Sequence, residues 1–213
     1  GYDGKGVVVL QTEADLDNAF DEPSVIEEKA AIKKEISVIV ARDPKGHVVV
    51  YDPVEMVVNP KANLLDTLIY PARISDKENE IAKAIAWDVI VKLEMVGVLA
   101  VELFLCDSGE IWVNELAPRP HNSGHHTIEA SKTSQYEQLI RILAGKSLGS
   151  TALLSPAVMI NILGEPGYEG LAKVEGLEDV SSLPGVHVHM YGKLKTKPFR
   201  KMGHITILCS NIE

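Results

Sequence analysis

Hydrophobic and polar positions along this chain change period several times, and each change marks an element. Glu35-Ile36-Ser37-Val38-Ile39-Val40 alternates as a strand, Asp43-Pro44-Lys45-Gly46 carries turn chemistry, and residues 47–51 run back as the partner strand. Residues 7–10 read as a brief apolar strand and residues 12–15 as a helix start, while Pro60 rules out a central strand over 59–63. Ser75-Asp76-Lys77-Glu78 is a capping box. Ile81, Ala84, Ile85, Val89 and Leu93 follow it at helical spacing, with Gly97 placed as the C-cap. Residues 98–106 and 110–115 form two apolar strands around Asp107-Ser108-Gly109. Ser134-Gln135-Tyr136-Glu137 opens a further helix that ends near Gly145. A strand over residues 157–163 and short ones near His187 and His204 complete an α+β pattern. Gly, Ser and Pro gather over residues 145–156, which divides the chain into residues 1–150 and a smaller β-rich unit, residues 151–213.

Composition removes several classes of partner. The chain has 213 residues, 46% of them apolar, with 21 Lys+Arg against 30 Asp+Glu for a net charge of −9. An acidic balance argues against wrapping a nucleic-acid backbone, and no apolar run approaches a membrane span. Two distant cysteines, Cys106 and Cys209, fit neither a disulfide framework nor a zinc knuckle and point to a reducing compartment, the cytoplasm. The chain opens on Gly1 rather than Met, so it is expected to be a piece of something larger.

The sharpest physical argument comes from two carboxylates. With a two-residue turn at Ser108-Gly109, Asp107 pairs with Glu110, and counting outward sets Glu102 directly opposite Glu115. Like charges facing each other across a ladder destabilise it, so something positive is expected between them. Few oxygen ligands in an apolar hairpin suit a magnesium ion that also takes phosphate oxygens, with Asn114 as a further neutral ligand. Two alternatives stay open: each Glu meets its own Lys or Arg, or a longer turn shifts the register.

Other segments carry weaker signals. Gly1-Tyr2-Asp3-Gly4-Lys5-Gly6 lets backbone N–H groups approach a phosphate, yet its spacing is neither a P-loop nor a dinucleotide fingerprint. Glu27-Glu28-Lys29-Ala30 with Glu35 suits an adenine edge and ribose hydroxyls, or simply a solvated acidic stretch. His121 and His125 stand four apart, but Pro120 and Gly124 disfavour the helix that a zinc pair would use. Arg119, His121 and Asn122 therefore suit phosphate or ribose contacts beside the carboxylate pair. Lys193, Lys195, Lys197, Arg200 and Lys201 gather near the C-terminus and read as an anion site.

Three runs together resemble a known family. Gly1 to Gly6, the run Asn114-Glu115-Leu116-Ala117-Pro118-Arg119-Pro120-His121-Asn122-Ser123-Gly124-His125, and Tyr191-Gly192-Lys193 with Arg200-Lys201-Met202-Gly203-His204 closely resemble the 5-(carboxyamino)imidazole ribonucleotide synthases, ATP-grasp ligases of purine biosynthesis. The resemblance implies an ATP-grasp domain, an antiparallel sheet with flanking helices, followed by the small C-terminal domain. It implies ATP-dependent carboxylation of aminoimidazole ribonucleotide by bicarbonate, through carboxyphosphate, by a homodimer that uses ATP and magnesium. It implies catalytic roles for Asp3, Lys5, His121 and Lys193, and magnesium held between Glu102 and Glu115. ATP contacts are implied for Gly1, Tyr2, Gly4, Gly6, Glu27, Glu28, Lys29, Ala30, Glu35, Asn114 and Glu115. Substrate contacts are implied for Tyr2, Lys5, Arg119, His121, Asn122, Lys193, Arg200 and Lys201. Two departures stand out: Val58 occupies a position where many relatives carry histidine, and the family's N-terminal domain is missing, so the 213-residue chain alone is expected to be inactive. The alternatives are another ATP-grasp carboxylase or formyltransferase, or a non-catalytic nucleotide-binding module.

Overall fold

The computed structural model describes residues 6–59 and 64–211. In chain order the strands and helices are β1 (Ile32–Arg42), β2 (Val48–Val50), β3 (Val54–Asn59), β4 (Leu64–Tyr70), α1 (Asp76–Lys92), β5 (Gly97–Cys106), β6 (Ile111–Ala117), α2 (Thr127–Ala130), α3 (Gln135–Leu143), β7 (Ala157–Leu163), β8 (Gly170–Leu171), α4 (Leu177–Ser181), β9 (Val186–Met190), β10 (Lys195–Thr196) and β11 (Lys201–Leu208). Nine strands form one antiparallel sheet in the order β6-β5-β1-β3-β4-β7-β11-β9, with β2 paired to β1. Strand β4 pairs with β7, so strands on both sides of residue 150 share this sheet. Val54, Leu68 and Tyr70 pack there against Ala157 and Met159 in one buried cluster.

Strand alternation divides the β1–β5–β6 region into two faces. Ile36, Val38, Val40, Leu99, Val101 and Leu103 point to one face, where they bury against Ala82, Ala86 and Ile90 of α1. Each fully buried Leu or Ile there contributes about 1.5–3 kcal/mol. Ile39, Ala41, Val98, Ala100 and Ala117 point to the other, beneath Ile142 of α3. Farther along that second face the same alternation brings up Glu35, Ser37 and Glu102. A single sheet face thus runs from apolar to acidic. On the opposite, α1 face Glu55 is the β3 partner of Ile36, and its carboxylate takes Lys34 at 2.7 Å and Arg73 at 2.6 Å. Burial opposes its ionisation, but the hydrogen bonds and charges of Arg73 and Lys34 hold the carboxyl down at about 2.

Several expectations change in the structure. The capping box at Ser75 forms, with Glu78 N–H donating to Ser75 Oγ at 3.3 Å. The buried stripe of α1, however, is Ala82, Ala86 and Ile90, while Ile81 and Leu93 are exposed. Apolar residues lie nearly all round this helix, so spacing alone does not choose the face that packs. The helix ends at Leu93, and Glu94 rather than Gly97 takes the left-handed conformation, at φ 49°. Residues 7–10 form no strand and stay exposed, and the helix start at Thr12 leads only to a 3-10 helix, Glu13–Asn18, with no buried residue. Residues 27–30 precede β1 without strand structure, so backbone pairing with an adenine edge finds no ready-made strand there.

Candidate functional site

The β5–β6 hairpin does place Glu102 opposite Glu115, but by a different route from the turn expected. Cys106 N–H donates to Glu110 O and Gly109 N–H to Cys106 O, both at 2.9 Å, so the loop has three residues: Asp107, Ser108 and Gly109. Gly109 supplies the positive φ, 84°, that this loop needs at its last position. Such a loop shifts the register by one, and Leu105 pairs with Ile111 and Leu103 with Val113. Asn114 is then the extra residue of a bulge, which restores the pairing of Glu102 with Glu115. Two deviations from the simple hairpin cancel. Asn114 and Glu115 remain exposed, accessible from the open edge of the sheet.

Burial, followed by the charges of Glu115 and Glu35, pushes the Glu102 carboxyl up to about 7. Lys201 and Arg119 act on it in the opposite direction. Glu35 is half-buried, and burial raises its carboxyl too. Among the described residues neither Glu102 nor Glu115 has a Lys or Arg side chain within ion-pair distance. Glu102 and Glu115 thus face each other, with Glu35 near enough for its charge to act on Glu102, and hard oxygen donors of this kind fit a divalent magnesium ion, although no third acidic or imidazole side chain joins them at ligand distance among the described residues.

The chain leaving β6 folds back over that site. His121 starts a 3-10 turn, Asn122–Gly124, and its Nε2 lies 3.4 Å from Glu102 Oε1. Ser123 N–H donates to His121 Nδ1 at 3.3 Å, which leaves Nε2 as the protonated nitrogen facing Glu102. Burial, then Arg119 and Lys201, lowers the His121 imidazole to about 4, so it stays neutral. Behind it, Ser123 Oγ lies 2.8 Å from Ser37 Oγ, and Ser37 is the β1 partner of Glu102. Both serines are buried.

Gln135, fully buried at the start of α3, clamps the backbone of His121. Its Oε1 accepts from His121 N–H at 2.9 Å and its Nε2 donates to His121 O at 2.8 Å. A Cβ on Gly124 would lie 2.4 Å from Gln135 Oε1. Gly124→Ala therefore drives Gln135 off His121 and lowers stability by about 1–3 kcal/mol, read as a shifted urea midpoint. A shift below about 0.5 kcal/mol means that Gln135 does not hold this loop.

The other predicted residues sort clearly. Gly1, Tyr2, Asp3, Gly4 and Lys5 lie outside the described residues; Gly6 is exposed in a turn. Glu27, Glu28 and Lys29 are exposed and Ala30 is half-buried. Arg119 is exposed, with Nη1 donating to Pro120 O at 3.2 Å, and its charge reaches both Glu102 and His121. Lys201 of β11 also acts on Glu102, His121 and His125, so one of the C-terminal cations comes within electrostatic reach of the site. Lys193 Nζ donates to Lys201 O and sits 5.3 Å from the centre of the Tyr191 ring. Burial, then Arg200 and Lys201, lowers the Lys193 ammonium. Arg200 Nη1 donates to Lys195 O at 2.7 Å. Sequence reasoning does not single out Ser37, Gln135 or Asn161, because their roles arise only where separate elements meet.

Comparison with known proteins identifies the family. Residues 1–136 match the ATP-grasp domain, and residues 157–213 match the phosphoribosylaminoimidazole carboxylase C-terminal domain. The chain is 41% identical over 212 residues to N5-carboxyaminoimidazole ribonucleotide synthase of Bacillus subtilis, covering 98% of this chain and 54% of that protein. The crystal structure of N5-carboxyaminoimidazole ribonucleotide synthetase from Thermotoga maritima superposes with a TM-score of 0.89 at 49% identity, over 97% of this chain and 55% of that one. The Aspergillus clavatus N5-carboxyaminoimidazole synthase in complex with ADP and 5-aminoimidazole ribonucleotide superposes with a TM-score of 0.79 at 33% identity, over 86% of this chain and 49% of that one. The chain spans about half the length of the relatives it matches. With an ATP-grasp sheet carrying paired carboxylates and the carboxylase C-terminal strands joined to it, the chain belongs to the ATP-grasp family.

Proposed function

We propose that the full-length protein carboxylates aminoimidazole ribonucleotide with bicarbonate at the expense of ATP, through carboxyphosphate, in purine biosynthesis. The observation that carries this reading is the facing pair Glu102–Glu115, roofed by His121 and approached by Arg119 and Lys201. Anionic donors on one side and cations on the other suit a substrate that brings both a metal-bound phosphate chain and a phosphate of its own. The A. clavatus relative, in complex with ADP and 5-aminoimidazole ribonucleotide, supports the choice of substrates.

In this reading Glu102, Glu115 and Asn114 would hold magnesium, whose charge would offset the negative charge that develops during phosphoryl transfer. Glu35 takes the ribose of ATP, and residues 27–30 with the loop of residues 1–6 complete the nucleotide site. Arg119, His121 and Asn122 orient the imidazole nucleotide, with Lys193, Arg200 and Lys201 around its phosphate. Neutral His121 offers its Nε2 proton toward Glu102 and so adds no positive charge against the metal. Asp3, Lys5, His121 and Lys193 are the groups assigned to catalysis. The free thiols of Cys106 and Cys209 suit the cytoplasm, and the resemblance implies a homodimer.

Turnover tests the reading. In the full-length protein, ATP hydrolysis rises with aminoimidazole ribonucleotide and not with glycinamide ribonucleotide; the reverse preference overturns the substrate. Glu115→Gln lowers magnesium-dependent turnover at least about 100-fold. Unchanged turnover removes Glu115 from the metal site.

A further inference from the structure

Three residues of the segment after β6 each rest on one residue of the C-terminal strands. Asn122 pairs with Asn161 of β7, the His125 ring stacks on His204 of β11 with centroids 4.4 Å apart, and Glu129 Oε1 lies 2.7 Å from His189 Nε2 of β9. Asn161 and His204 are direct cross-strand partners, as are His204 and His189, so the three form a row across the sheet. Spacings of three and four place Asn122, His125 and Glu129 on one side of their turn and helix. The loop of the site is docked, residue by residue, on the C-terminal strands.

One of these contacts does more than attach the loop. Asn122 Nδ2 donates to Asn161 Oδ1 at 2.8 Å, and Asn161 Nδ2 donates back to Asn122 Oδ1 at 2.9 Å. Asn161 Nδ2 also donates to the backbone carbonyl of Leu65 in β4 at 2.9 Å. A carbonyl oxygen only accepts, so Leu65 O rejects a flipped Asn161 amide that would present Oδ1. That one carbonyl sets the orientation of Asn161. Because the amide pair is reciprocal, it sets the orientation of Asn122 as well. Asn122 keeps one N–H and one oxygen lone pair for a ligand, in an order it does not choose for itself. Asn161 is 5% exposed and lies too deep to offer itself to a ligand as its partner does.

We infer that Asn161 is a positioning residue whose reciprocal amide pair fixes which atom of the Asn122 amide faces the imidazole nucleotide. The inference rests on the proposed function, in which Asn122 contacts that substrate. It assigns the C-terminal strands a part in substrate recognition besides that of their cations.

A double-mutant cycle with a separate exchange measurement tests it in the full-length protein. Asn161→Asp keeps the volume but presents only acceptors; it raises KM for aminoimidazole ribonucleotide about five- to tenfold and leaves KM for ATP unchanged. In an Asn122→Ala background, the same Asn161→Asp change adds less than about twofold, because Asn161 acts through a side chain already gone. Additive effects, or both KM values rising together, overturn the inference. In the ligand-free protein, Asn161→Asp speeds hydrogen exchange over residues 121–126 and leaves β5 unchanged. Unchanged exchange over 121–126 overturns it also, whatever the substrate. If the wild-type protein shows no turnover dependent on aminoimidazole ribonucleotide, the functional reading falls and the exchange result alone decides Asn161.

Discussion

Glu102→Gln makes the ligand-free protein more stable at pH 8 and abolishes its magnesium-dependent turnover. The carboxyl of Glu102 is raised to about 7 in the fold, by burial first and then by Glu115 and Glu35. A carboxyl raised on folding contributes stability below its unfolded value of about 4.5, and that contribution is lost as pH rises through about 7. At pH 8 the wild-type fold therefore carries an ionised carboxylate with no Lys or Arg at ion-pair distance among the described residues, which the amide variant lacks. Removing it is worth roughly 1–3 kcal/mol, allowing for local relaxation. For a chain of this size, that raises the melting temperature by roughly 3–10 °C. At pH 5 wild-type Glu102 is already protonated, so the two proteins melt together. Thermal melts at both pH values check this. A shift at pH 5 as large as that at pH 8, or none at pH 8, disproves the electrostatic account. In the full-length protein the same variant loses a metal ligand, so a gain in stability accompanies a loss of function.

Mild acid is expected to destabilise the protein, and its buried histidines are the cause. Burial lowers His121 and His125 to about 4, and His126 and His204 to about 3. Groups lowered on folding contribute stability that is complete above their unfolded value, 6.5, and is lost as pH falls toward the folded value. At pH 5 each buried neutral imidazole costs about 2 kcal/mol relative to pH 7.5, so four approach the whole stability of an ordinary domain. Glu102 works in the opposite direction between pH 7 and 4.5, as does the raised Glu35 carboxyl, but two carboxyls do not balance four imidazoles. Urea unfolding at pH 7.5 and at pH 5 measures the fall, expected to be several kcal/mol. His126 is fully buried against the Tyr70 ring, with centroids 4.0 Å apart. His126→Phe keeps an aromatic ring there and removes one titrating group, so proton uptake on unfolding at pH 5 falls by about one. Equal pH slopes for the variant and the wild type refute the assignment.

The hairpin shows how far local pattern can be read. Apolar runs on either side of a turn identify β5 and β6, and counting places Glu102 opposite Glu115. The count succeeded because a longer loop and a bulge at Asn114 cancel, and neither leaves a mark in the hydrophobic pattern. Helix α1 shows the opposite case. Its capping box is written in four adjacent residues, but its buried stripe is chosen by the sheet beneath, and the apolar positions allowed more than one phase. The brief strand expected over residues 7–10 has no neighbour to pair with among the described residues, and an apolar run without a partner does not make a strand. Among the site residues, the run from Glu115 to His125 was legible because its members are adjacent in sequence. Ser37, Gln135 and Asn161 were not, because each meets that run from a distant segment.

The sequence by itself determined the α+β class, the main strands and helices, the paired carboxylates and the family, since all of these rest on short-range spacing and contiguous motifs. Tertiary structure decided that the strands after residue 150 enter the same sheet, that Lys201 comes within electrostatic reach of Glu102, and that Leu65 O, through Asn161, orients Asn122. The reason is physical: spacing records what a residue's neighbours along the chain require. Carboxyl pKa values, amide orientations and helix faces are set instead by charges, carbonyls and packed surfaces that folding brings from far away in the chain.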